Sequence, residues 1–341
     1  MTGRIRVAVI AGGRSSEHAI SVASAGSVIE VLDPERYEST LIEIGRDGRW
    51  QLADARLRLP SAIDNPSVET LPVVADSAPA AEIGRVDVVL PILHGPFGED
   101  GTVQGLLELA GVPYVGAGVA ASALCMDKDL FKAVLRDRGI PVARNVTLRE
   151  GDEPVHHFDY PVFVKPARLG SSVGISKVRS DQELLTAVEL ARRHDDKVLI
   201  EEGLEGVEVE CGVLGNRNPI PSVVGEIVAH ADWYDYSAKY DEGGMELVIP
   251  ARISAESDAE VRRLAVDSFV ATECEGMARI DFFVRPDGEV VVNEINTIPG
   301  FTSTSVYAAL FEASGIPYAE LLDKLIALAL ERHERKSHLE Y

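Results

Sequence analysis

Residues 276–305 constrain the fold of this chain more than any other stretch, and they read GMARIDFFVRPDGEVVVNEINTIPGFTSTS. Two strand-like runs, 278–284 and 289–294, flank a Pro-Asp-Gly sequence that is typical of a turn, so the stretch predicts a β-hairpin. Side chains alternate between the two faces of a strand, and Arg279 and Asp281 therefore share one face of the first strand. The hairpin thus presents a cation beside an anion.

The predicted hairpin can also gather oxygen ligands. Glu294 and Asn296 project the same way from the second strand and its exit, where they can meet Asp281. Carboxylate and amide oxygens are the ligands of a hard cation such as Mg²⁺. The alternative is a solvated acidic face with a structural pair between Arg279 and Asp281. The Gly- and hydroxyl-rich segment 297–305 favours a site, because it can offer backbone N–H groups to an anion.

The composition limits the kinds of partner. The chain has 341 residues, which predicts two or three domains, and its net charge is −22 at pH 7. Nucleic acid and anionic membranes are not expected as main partners, because binding them needs clustered Lys and Arg. No apolar run reaches the about 18 residues of a membrane span. The three cysteines are widely spaced, so we expect a cytoplasmic protein with reduced thiols.

The first part of the chain predicts an α/β fold. A strand-like run at 4–10 leads through a glycine turn into a helical pattern. NAD binding is not expected, because Arg14 and Glu17 stand where the dinucleotide fingerprint needs glycines. A second buried strand, 86–93, ends at His94, and loops at the carboxyl ends of parallel strands bind ligands. His94 is therefore a candidate binding residue, although a lone histidine is often structural.

A glycine- and serine-rich loop predicts a phosphate site. Strand 162–165 ends at Lys165, and the residues ARLGSSVG precede the next strand at 175–178. Phosphate oxygens bind N–H groups, hydroxyls and a lysine charge, and Lys165, Ser171 and Ser172 offer these groups. The chain has no Gly-Lys dipeptide, so the loop is not a Walker A loop. A flexible hairpin tip is the alternative.

Further charged residues follow this loop. A strand at 198–202 ends in paired acids, and we expect the run at 207–214 to pair with it. Taken alone, Glu201 and Glu208 would be solvated charges at the ends of strands. Lys239 lies in a loop with four aromatic residues, and such loops form binding or packing surfaces.

Helical patterns account for much of the rest. The longest carries Lys128 and Lys132, and a later one has Val266 and Val270 among its candidate core positions. The polar tail from Glu334 onward is expected to fray. The helices are predicted over residues 103–110, 120–137, 181–193, 257–275, 305–313 and 318–332.

Together these features describe the activation of a carboxylate. A carboxylate is a poor acyl donor because its leaving group would be oxide, whereas phosphorylation by ATP creates an acyl phosphate that an amine can attack. The phosphate loop, with Lys128 and Lys239, would hold ATP, and the oxygen cluster would hold the metal. The tetrahedral intermediate needs a cationic or N–H-lined oxyanion site. Arg279 and the N–H groups near Gly300 are candidates for it.

Six blocks of sequence then carry a resemblance to a known family. They are GGRSSEHAIS (12–21), HGPFGEDGTVQG (94–105), KPARLGSSVGISKV (165–178), YDYSAKY (234–240), ARIDFF (278–283) and NEINTIPGFTSTS (293–305). In this order, over nearly the whole chain, they resemble the D-alanine–D-alanine ligases of the ATP-grasp superfamily. The resemblance implies a Rossmann-like parallel-sheet domain at 1–125, followed by an ATP-grasp fold of two α+β subdomains. These would be a central lid at 126–220 and a C-terminal subdomain at 221–341.

The resemblance also implies which residues bind ATP and metal. ATP would lie between the two ATP-grasp subdomains, with two Mg²⁺ (or Mn²⁺) ions beside it. The ATP contacts would be Lys128, Lys165, Ser172, Glu201, Glu208, Lys239 and Asn293. The metal ligands would be Asp281, Glu294 and Asn296, with Glu294 bridging the two ions.

The first D-alanine would be bound near the N-terminus of the chain. By resemblance, Glu17 binds its ammonium group, and Ser171 and Tyr240 join Glu17 in a hydrogen-bonded set that closes a loop over the site. His94 would lie near this substrate. Relatives that make D-alanyl-D-lactate often have His or Phe in place of the tyrosine, so Tyr240 favours the dipeptide.

The second substrate would be bound near the end of the hairpin. The resemblance implies that Arg279 and the Gly300 N–H stabilise the oxyanion, and that Ser305 and Val306 meet the carboxylate of the second D-alanine. Val306 lies where Leu or Met is common, so D-serine stays open as a second substrate. The alternatives are another ATP-grasp carboxylate–amine ligase or a non-catalytic ATP-binding protein. A homodimer that works in peptidoglycan precursor synthesis is also implied.

Overall fold

The computed structural model describes residues 3–53, 83–229 and 245–340. Lys239 and Tyr240 lie outside the described residues, and their predicted roles stay predictions. The described strands form three sheets that follow one another along the chain. Among these residues, no helix has the length and apolar character needed to cross a membrane.

The first sheet is mixed, with its central strands parallel. Its strands are β1 (Ile5–Gly12), β2 (Tyr37–Ile44), β3 (Trp50–Ala53) and β4 (Val88–Pro91). Their order is β3-β2-β1-β4, and β1 pairs in parallel with both β2 and β4. The last six residues of β1 are buried, as expected for a parallel strand covered on both faces. The predicted α/β opening is confirmed, and β3 adds a strand that was not predicted.

The second sheet is antiparallel and carries the predicted phosphate loop. Its strands are β5 (Asn145–Leu148), β6 (Val162–Pro166), β7 (Ser176–Val178) and β8 (Val198–Glu202). The order is β5-β8-β6-β7, so β8 lies between β5 and β6. The loop that joins β6 to β7 contains the two candidate phosphate-binding serines, as the sequence predicts.

The third sheet contains the hairpin that was predicted around the Pro-Asp-Gly turn. Its strands are β9 (Val207–Gly215), β10 (Ile220–Ala229), β11 (Met245–Val248), β12 (Gly276–Val284) and β13 (Val290–Asn296). All pairs are antiparallel, in the order β11-β10-β9-β12-β13. The predicted hairpin is confirmed as β12 and β13.

The predicted pairing of residues 207–214 with 198–202 is wrong. Strand β9 pairs with β10 and β12, and the chain passes from the second sheet to the third at residues 203–206. The apolar face of β9 includes Val209 and Val213, which share a buried core with Phe282 of β12. A separate core lies under the second sheet. The predicted domains 1–125, 126–220 and 221–341 stay predictions.

Helices cover these sheets and join the two ends of the chain. The described helices are α1 (His18–Val31), α2 (Thr102–Ala110), α3 (Val119–Met126), α4 (Lys128–Asp137), α5 (Asp181–Arg192), α6 (Ala255–Ala271), α7 (Val306–Ala313) and α8 (Tyr318–Ser337). Residues of α7 and α8 share one core with β1 and β4, for example Phe311 and Leu321 with Val9. This core fixes the segment after the hairpin against the first sheet.

Three helix predictions need correction. The single helix predicted over 120–137 is two helices, because Asp127 ends the first and caps the second by accepting the N–H groups of Asp129 and Leu130. Helix α8 continues past Glu334 to Ser337. Val270 is 58% exposed rather than in the core. The buried face of α6 is formed by Ser257, Val261, Leu264, Ala265, Ser268 and Phe269.

Candidate active site

One face of the third sheet gathers the predicted metal ligands. Asp281 of β12 lies directly opposite Glu294 of β13 and Glu210 of β9, and Arg279 lies opposite Asn296. Residues paired in this way project from the same face of an antiparallel sheet. Asn296 Nδ2 donates a hydrogen bond to Asp281 Oδ2 over 3.0 Å. The structure therefore brings all three predicted metal ligands together on this acidic face.

Arg279 lies among the carboxylates of the acidic face. Its Nε and Nη2 each donate to one oxygen of Asp281 over 2.7 Å, and Nε also lies 2.8 Å from Glu210 Oε2. Burial opposes the guanidinium charge, but the carboxylates of Asp281 and Glu210 prevail and raise the pKa of Arg279 well above its usual value. Arg279 stays a cation at any working pH.

Asn293 occupies an irregular position in the hairpin. The register shifts by one residue between Asp281, which faces Glu294, and Phe282, which faces Val292. Asn293 is therefore the extra residue of a β-bulge. Bulges re-aim side chains and are common next to active sites, which supports the selection of Asn293 as a candidate ATP contact.

Lys128 joins the phosphate loop to the acidic face. Its Nζ donates to the carbonyl of Leu169 over 2.7 Å and lies 3.8 Å from Glu294 Oε2. Ser171 and Ser172 in the same loop have φ values of 52° and 58°. This left-handed region is unfavourable for residues other than glycine, and such conformations cluster in loops that clamp ligands. The loop is thus held in a specific shape beside the acidic face.

A second group of cations lies around Glu201. Its carboxylate forms ion pairs with Lys165, 2.5 Å away, and with Lys132, and the side chains of Lys132 and Glu201 are 0% and 4% exposed. Burial, together with the nearby charges of Lys165 and Lys128, lowers the pKa of Lys132 well below its usual value. Glu201 is therefore not the solvated charge that its position at the end of a strand suggested.

Glu17 and Ser171 meet across the site. The hydroxyl of Ser171 donates to Glu17 Oε1, so the phosphate loop reaches the start of α1. Glu17 also lies close to Gly95, where a Cβ would come within 2.5 Å of Glu17 Oε2. Gly95 has a φ of 73°, so both its backbone and its surroundings favour glycine. The structure thus brings together two of the three residues in the predicted closing set.

His94 is buried at the carboxyl end of the first sheet. Its Nδ1 lies 2.9 Å from the carbonyl of Ile298, and Nε2 has no hydrogen-bond partner among the described residues. A carbonyl only accepts, so Nδ1 carries the proton and Nε2 is an acceptor. Burial lowers the pKa of His94, although the Glu17 charge opposes this. His94 is therefore a neutral acceptor near Glu17.

The segment after the hairpin ends at the start of α7. Ser305 occupies the N-cap position, and its hydroxyl accepts the N–H of Thr302 over 3.0 Å. A Cβ on Gly300 would lie 3.3 Å from Ser305 Oγ, so Gly300 and Ser305 are neighbours. Val306 is the first residue of α7. The N-terminus of a helix attracts anions, which suits a substrate carboxylate here.

The chemistry of the acidic face fits a divalent cation that arrives with phosphate. Within the described residues, no group of three His, Cys, Asp or Glu side chains forms a metal site by itself. Asp281, Glu294 and Asn296 provide two carboxylates and an amide. Mg²⁺ is commonly held by one or two carboxylates together with substrate phosphates and waters, so this ligand set fits a nucleotide-bound metal better than a free one.

Two cavities help to locate the site. A cavity of about 30 Å³ touches both the phosphate loop and the acidic face, and its lining includes Lys128, Gly170 and Glu294. A larger cavity of about 640 Å³ lies elsewhere, lined in part by Glu108 and Cys274. The smaller cavity is the candidate active site, because it joins candidate phosphate contacts to candidate metal ligands.

Three residues of this site were not predicted from the sequence. Glu210 lies two positions after Glu208, and strand alternation could have placed the two on one face. Lys132 lies one helical turn after Lys128, which is also a usable signal. Glu99 accepts the N–H groups of Gly95 and Ile298, and only the tertiary structure shows these contacts.

Family models match most of the chain. The model of the D-ala D-ala ligase N-terminus matches residues 6–117, and that of the D-ala D-ala ligase C-terminus matches residues 134–327. D-alanine–D-alanine ligase A of Escherichia coli strain K12 is 43% identical to this chain, and the match covers 97% of this chain and 97% of the relative.

Solved structures share the fold. The VanG D-Ala:D-Ser ligase of Enterococcus faecalis has a TM-score of 0.84 and 39% identity, covering 96% of this chain and 100% of that chain. The D-alanine–D-alanine ligase of Bacillus anthracis complexed with ATP has a TM-score of 0.76 and 27% identity, covering 97% and 99%. The predicted α/β fold with an ATP-grasp architecture is confirmed. The chain belongs to the D-alanine–D-alanine ligase family.

Proposed function

We propose that this protein uses ATP to join two D-alanines into D-alanyl-D-alanine, with an acyl phosphate as the intermediate. The contact between Ser171 and Glu17 carries this proposal, because it joins the phosphate loop to the carboxylate that would bind the ammonium of the first D-alanine. Lys128 contacts the same loop at the carbonyl of Leu169 and lies 3.8 Å from Glu294 Oε2. A transfer from the γ-phosphate of ATP to the substrate carboxylate requires this proximity.

The cations around the phosphate loop would bind the phosphates of ATP. Lys128 and Lys165 both lie near enough to Lys132 to lower its pKa, and Lys165 is paired with Glu201. When phosphates bind, Lys165 can exchange this partner, because the carboxylate of Glu201 keeps its contact with Lys132. Lys239, Ser172 and Asn293 are proposed as further ATP contacts, with Glu201 and Glu208 on the nucleoside side.

The acidic face would hold the metal ions. Asp281, Glu294 and Asn296 are the proposed ligands of two Mg²⁺ or Mn²⁺ ions. When bound, the metal neutralises charge on the transferring phosphate. The chain's own contribution is to hold these ligands in register on adjacent strands. The positive charge of Arg279 balances the neighbouring carboxylates of Asp281 and Glu210.

The acyl transfer would take place between Arg279 and the segment after the hairpin. The amine of the second D-alanine attacks the carbonyl carbon of the acyl phosphate, an oxyanion forms, and phosphate leaves. Arg279 and the Gly300 N–H are the proposed oxyanion donors. The N-terminus of α7, with Ser305 and Val306, would bind the carboxylate of the second substrate. His94 and Tyr240 complete the surroundings of the first substrate.

D-serine is the second candidate for the attacking amine. The VanG D-Ala:D-Ser ligase has 39% identity to this chain, and Val306 lies at the proposed pocket of the second substrate. Release of phosphate from ATP should be measured with D-alanine, D-serine, D-lactate and L-alanine. We expect the highest kcat/KM with D-alanine. Turnover that does not depend on D-alanine would refute the proposal, and a preference for D-serine would select the second candidate.

Three further features stay proposals. A homodimer is expected from the resemblance to the family, and a cytoplasmic location from the composition and cysteine content. The three-domain division is also proposed from the resemblance to the family. Sedimentation equilibrium of the purified chain tests the first of these, because a monomeric mass would contradict it.

A further inference from the structure

The peptide groups on both sides of Ile298 are held by one loop. The loop begins at His94, whose Nδ1–H donates to the carbonyl of Ile298 over 2.9 Å. Five residues later, Glu99 Oε1 accepts the N–H of Ile298 over 2.9 Å. The other oxygen of Glu99 accepts the N–H of Gly95 over 2.8 Å. The loop therefore grips Ile298 from its N–H and from its carbonyl.

Ile298 lies at a sensitive place in the chain. It follows the proposed metal ligand Asn296 by two residues and precedes the proposed oxyanion donor Gly300 by two residues. Thr297 and Ile298 are buried, and the next residue is Pro299, whose ring fixes φ. A shift of the Ile298 peptide groups would thus be passed on to Gly300 with little loss.

A carboxylate is the side chain that these contacts require. Both of its partners are backbone N–H donors, and each oxygen of Glu99 accepts one of them. Glutamine has a single acceptor oxygen, and its NH₂ group would face an N–H donor. Burial, with a contribution from the charge of Glu17, raises the pKa of Glu99 to about 8. Burying the charged form of Glu99 therefore costs free energy. A glutamate that only bridged an exposed loop would not have this cost.

We propose that Glu99 is a positioning residue for the acyl-transfer site. It locks the loop that begins at His94 to the segment that carries Gly300, so that the histidine and the oxyanion donor keep a fixed distance. The grip on Ile298 also fixes the tautomer of His94, so that its buried Nε2 stays an acceptor. This role rests on the proposed ligase function, because that function gives His94 and Gly300 their roles at the site.

The test compares Glu99→Gln with Glu108→Gln in the full chain. Glu108 serves as the control because it is an exposed glutamate that accepts Tyr114 Oη–H over 2.8 Å and Lys336 Nζ–H over 3.0 Å, away from the site. Assays at about pH 9 keep Glu99 ionised in the wild type. We expect Glu99→Gln to lower kcat by about tenfold or more while the ATP dissociation constant changes by less than about twofold. Glu108→Gln should change neither.

A second readout does not depend on turnover. The ¹⁵N shifts of the His94 ring should show a single neutral tautomer with the proton on Nδ1 in the wild type, and a mixture of tautomers in Glu99→Gln. Wild-type kcat together with unchanged His94 shifts in Glu99→Gln would overturn the positioning role. Absence of D-alanine-dependent turnover in the wild type would refute the proposed function instead, and the ring shifts would then show whether the lock exists.

Discussion

Arg279 and Asp281 form a bidentate ion pair two residues apart on one strand, with both donor–acceptor distances at 2.7 Å. Glu210 adds a second carboxylate to the same guanidinium. The residue proposed to stabilise the oxyanion is therefore also the counter-ion of a proposed metal ligand. A metal ion that binds Asp281 would share this carboxylate with Arg279. Metal binding would therefore affect the orientation of the guanidinium.

Arg279→Lys should lower kcat by about 10²–10³-fold. Lysine keeps the charge but loses the planar fork that faces Asp281, and it is preferred to alanine, which would leave buried carboxylates without a counter-ion. Arg252→Lys is the matched control, because Arg252 forms the same bidentate pair with Glu226 away from the site. Steady-state kinetics of both variants test this, and equal kcat values in the two variants would contradict the role of Arg279.

Glu294→Gln should increase the concentration of free Mg²⁺ needed for half-maximal turnover. The change removes one carboxylate charge from the acidic face but keeps the shape of the side chain. Glu289→Gln, at the hairpin turn where Glu289 pairs with Arg285, serves as the control. Turnover is measured against free Mg²⁺ at fixed ATP. A half-saturation value equal to that of the control would remove Glu294 from the set of metal ligands.

Lys132→Met should destabilise the fold, because it leaves the buried carboxylate of Glu201 with one lysine partner instead of two. Breaking a buried ion pair costs about 3–5 kcal/mol, and the remaining partner Lys165 places the expected loss near the lower end. The double variant Lys132→Met/Glu201→Gln should recover part of the loss. Urea unfolding measures these free energies. The control is Lys324→Met, whose pair with Glu320 is exposed and contributes at most about 0.5 kcal/mol.

If Lys132→Met unfolds at the same urea concentration as Lys324→Met, the pair between Lys132 and Glu201 does not contribute to the stability of the fold. The same variant informs on ATP binding, since Glu201 should then retain Lys165 more firmly. We expect the KM for ATP to rise in Lys132→Met, and an unchanged KM would show that Lys165 does not exchange partners.

The stability of the protein should depend on pH through Glu99. Its pKa of about 8 in the folded state lies above the about 4.3 of an exposed glutamate, so the folded state holds the proton more tightly than the unfolded state. This contribution is fully present below the unfolded pKa and is lost as the pH rises towards 8. The free energy of unfolding of the wild type should therefore fall between about pH 6 and pH 8 relative to Glu99→Gln.

The free energy of unfolding should differ between wild type and Glu108→Gln by the same amount at every pH in that range. The pKa of Glu108 is lowered, so Glu108 stays ionised throughout the range. Denaturant unfolding at several pH values provides the measurement. A difference between wild type and Glu99→Gln that does not vary with pH would contradict the raised pKa.

The hairpin could be predicted from the sequence because its information is local. Turn residues fix the hairpin, and the two-residue period of a strand places Arg279 with Asp281 and Glu294 with Asn296. The candidate metal ligands follow from this pattern alone. The bulge at Asn293 could not be predicted, since it changes the register by one residue without a distinctive residue type.

Contacts that join distant parts of the chain could not be predicted from periodicity. Glu201 and Lys132 are 69 positions apart, and Glu99 and Ile298 are 199 positions apart. The pairing of β9 was predicted wrongly because its short sequence distance to β8 suggested a hairpin, whereas burial of its apolar face with Phe282 decided the outcome. The break at Asp127 was missed because the apolar pattern continues through the cap.

The central claim is that the carboxylate of one D-alanine is activated as an acyl phosphate. It is tested most directly with D-alanine that carries ¹⁸O in both carboxylate oxygens. One of these oxygens attacks the γ-phosphorus and stays with phosphate when the amine of the second D-alanine expels it. We predict that each phosphate released with the dipeptide contains one ¹⁸O atom by mass spectrometry. Released phosphate without ¹⁸O would contradict the account.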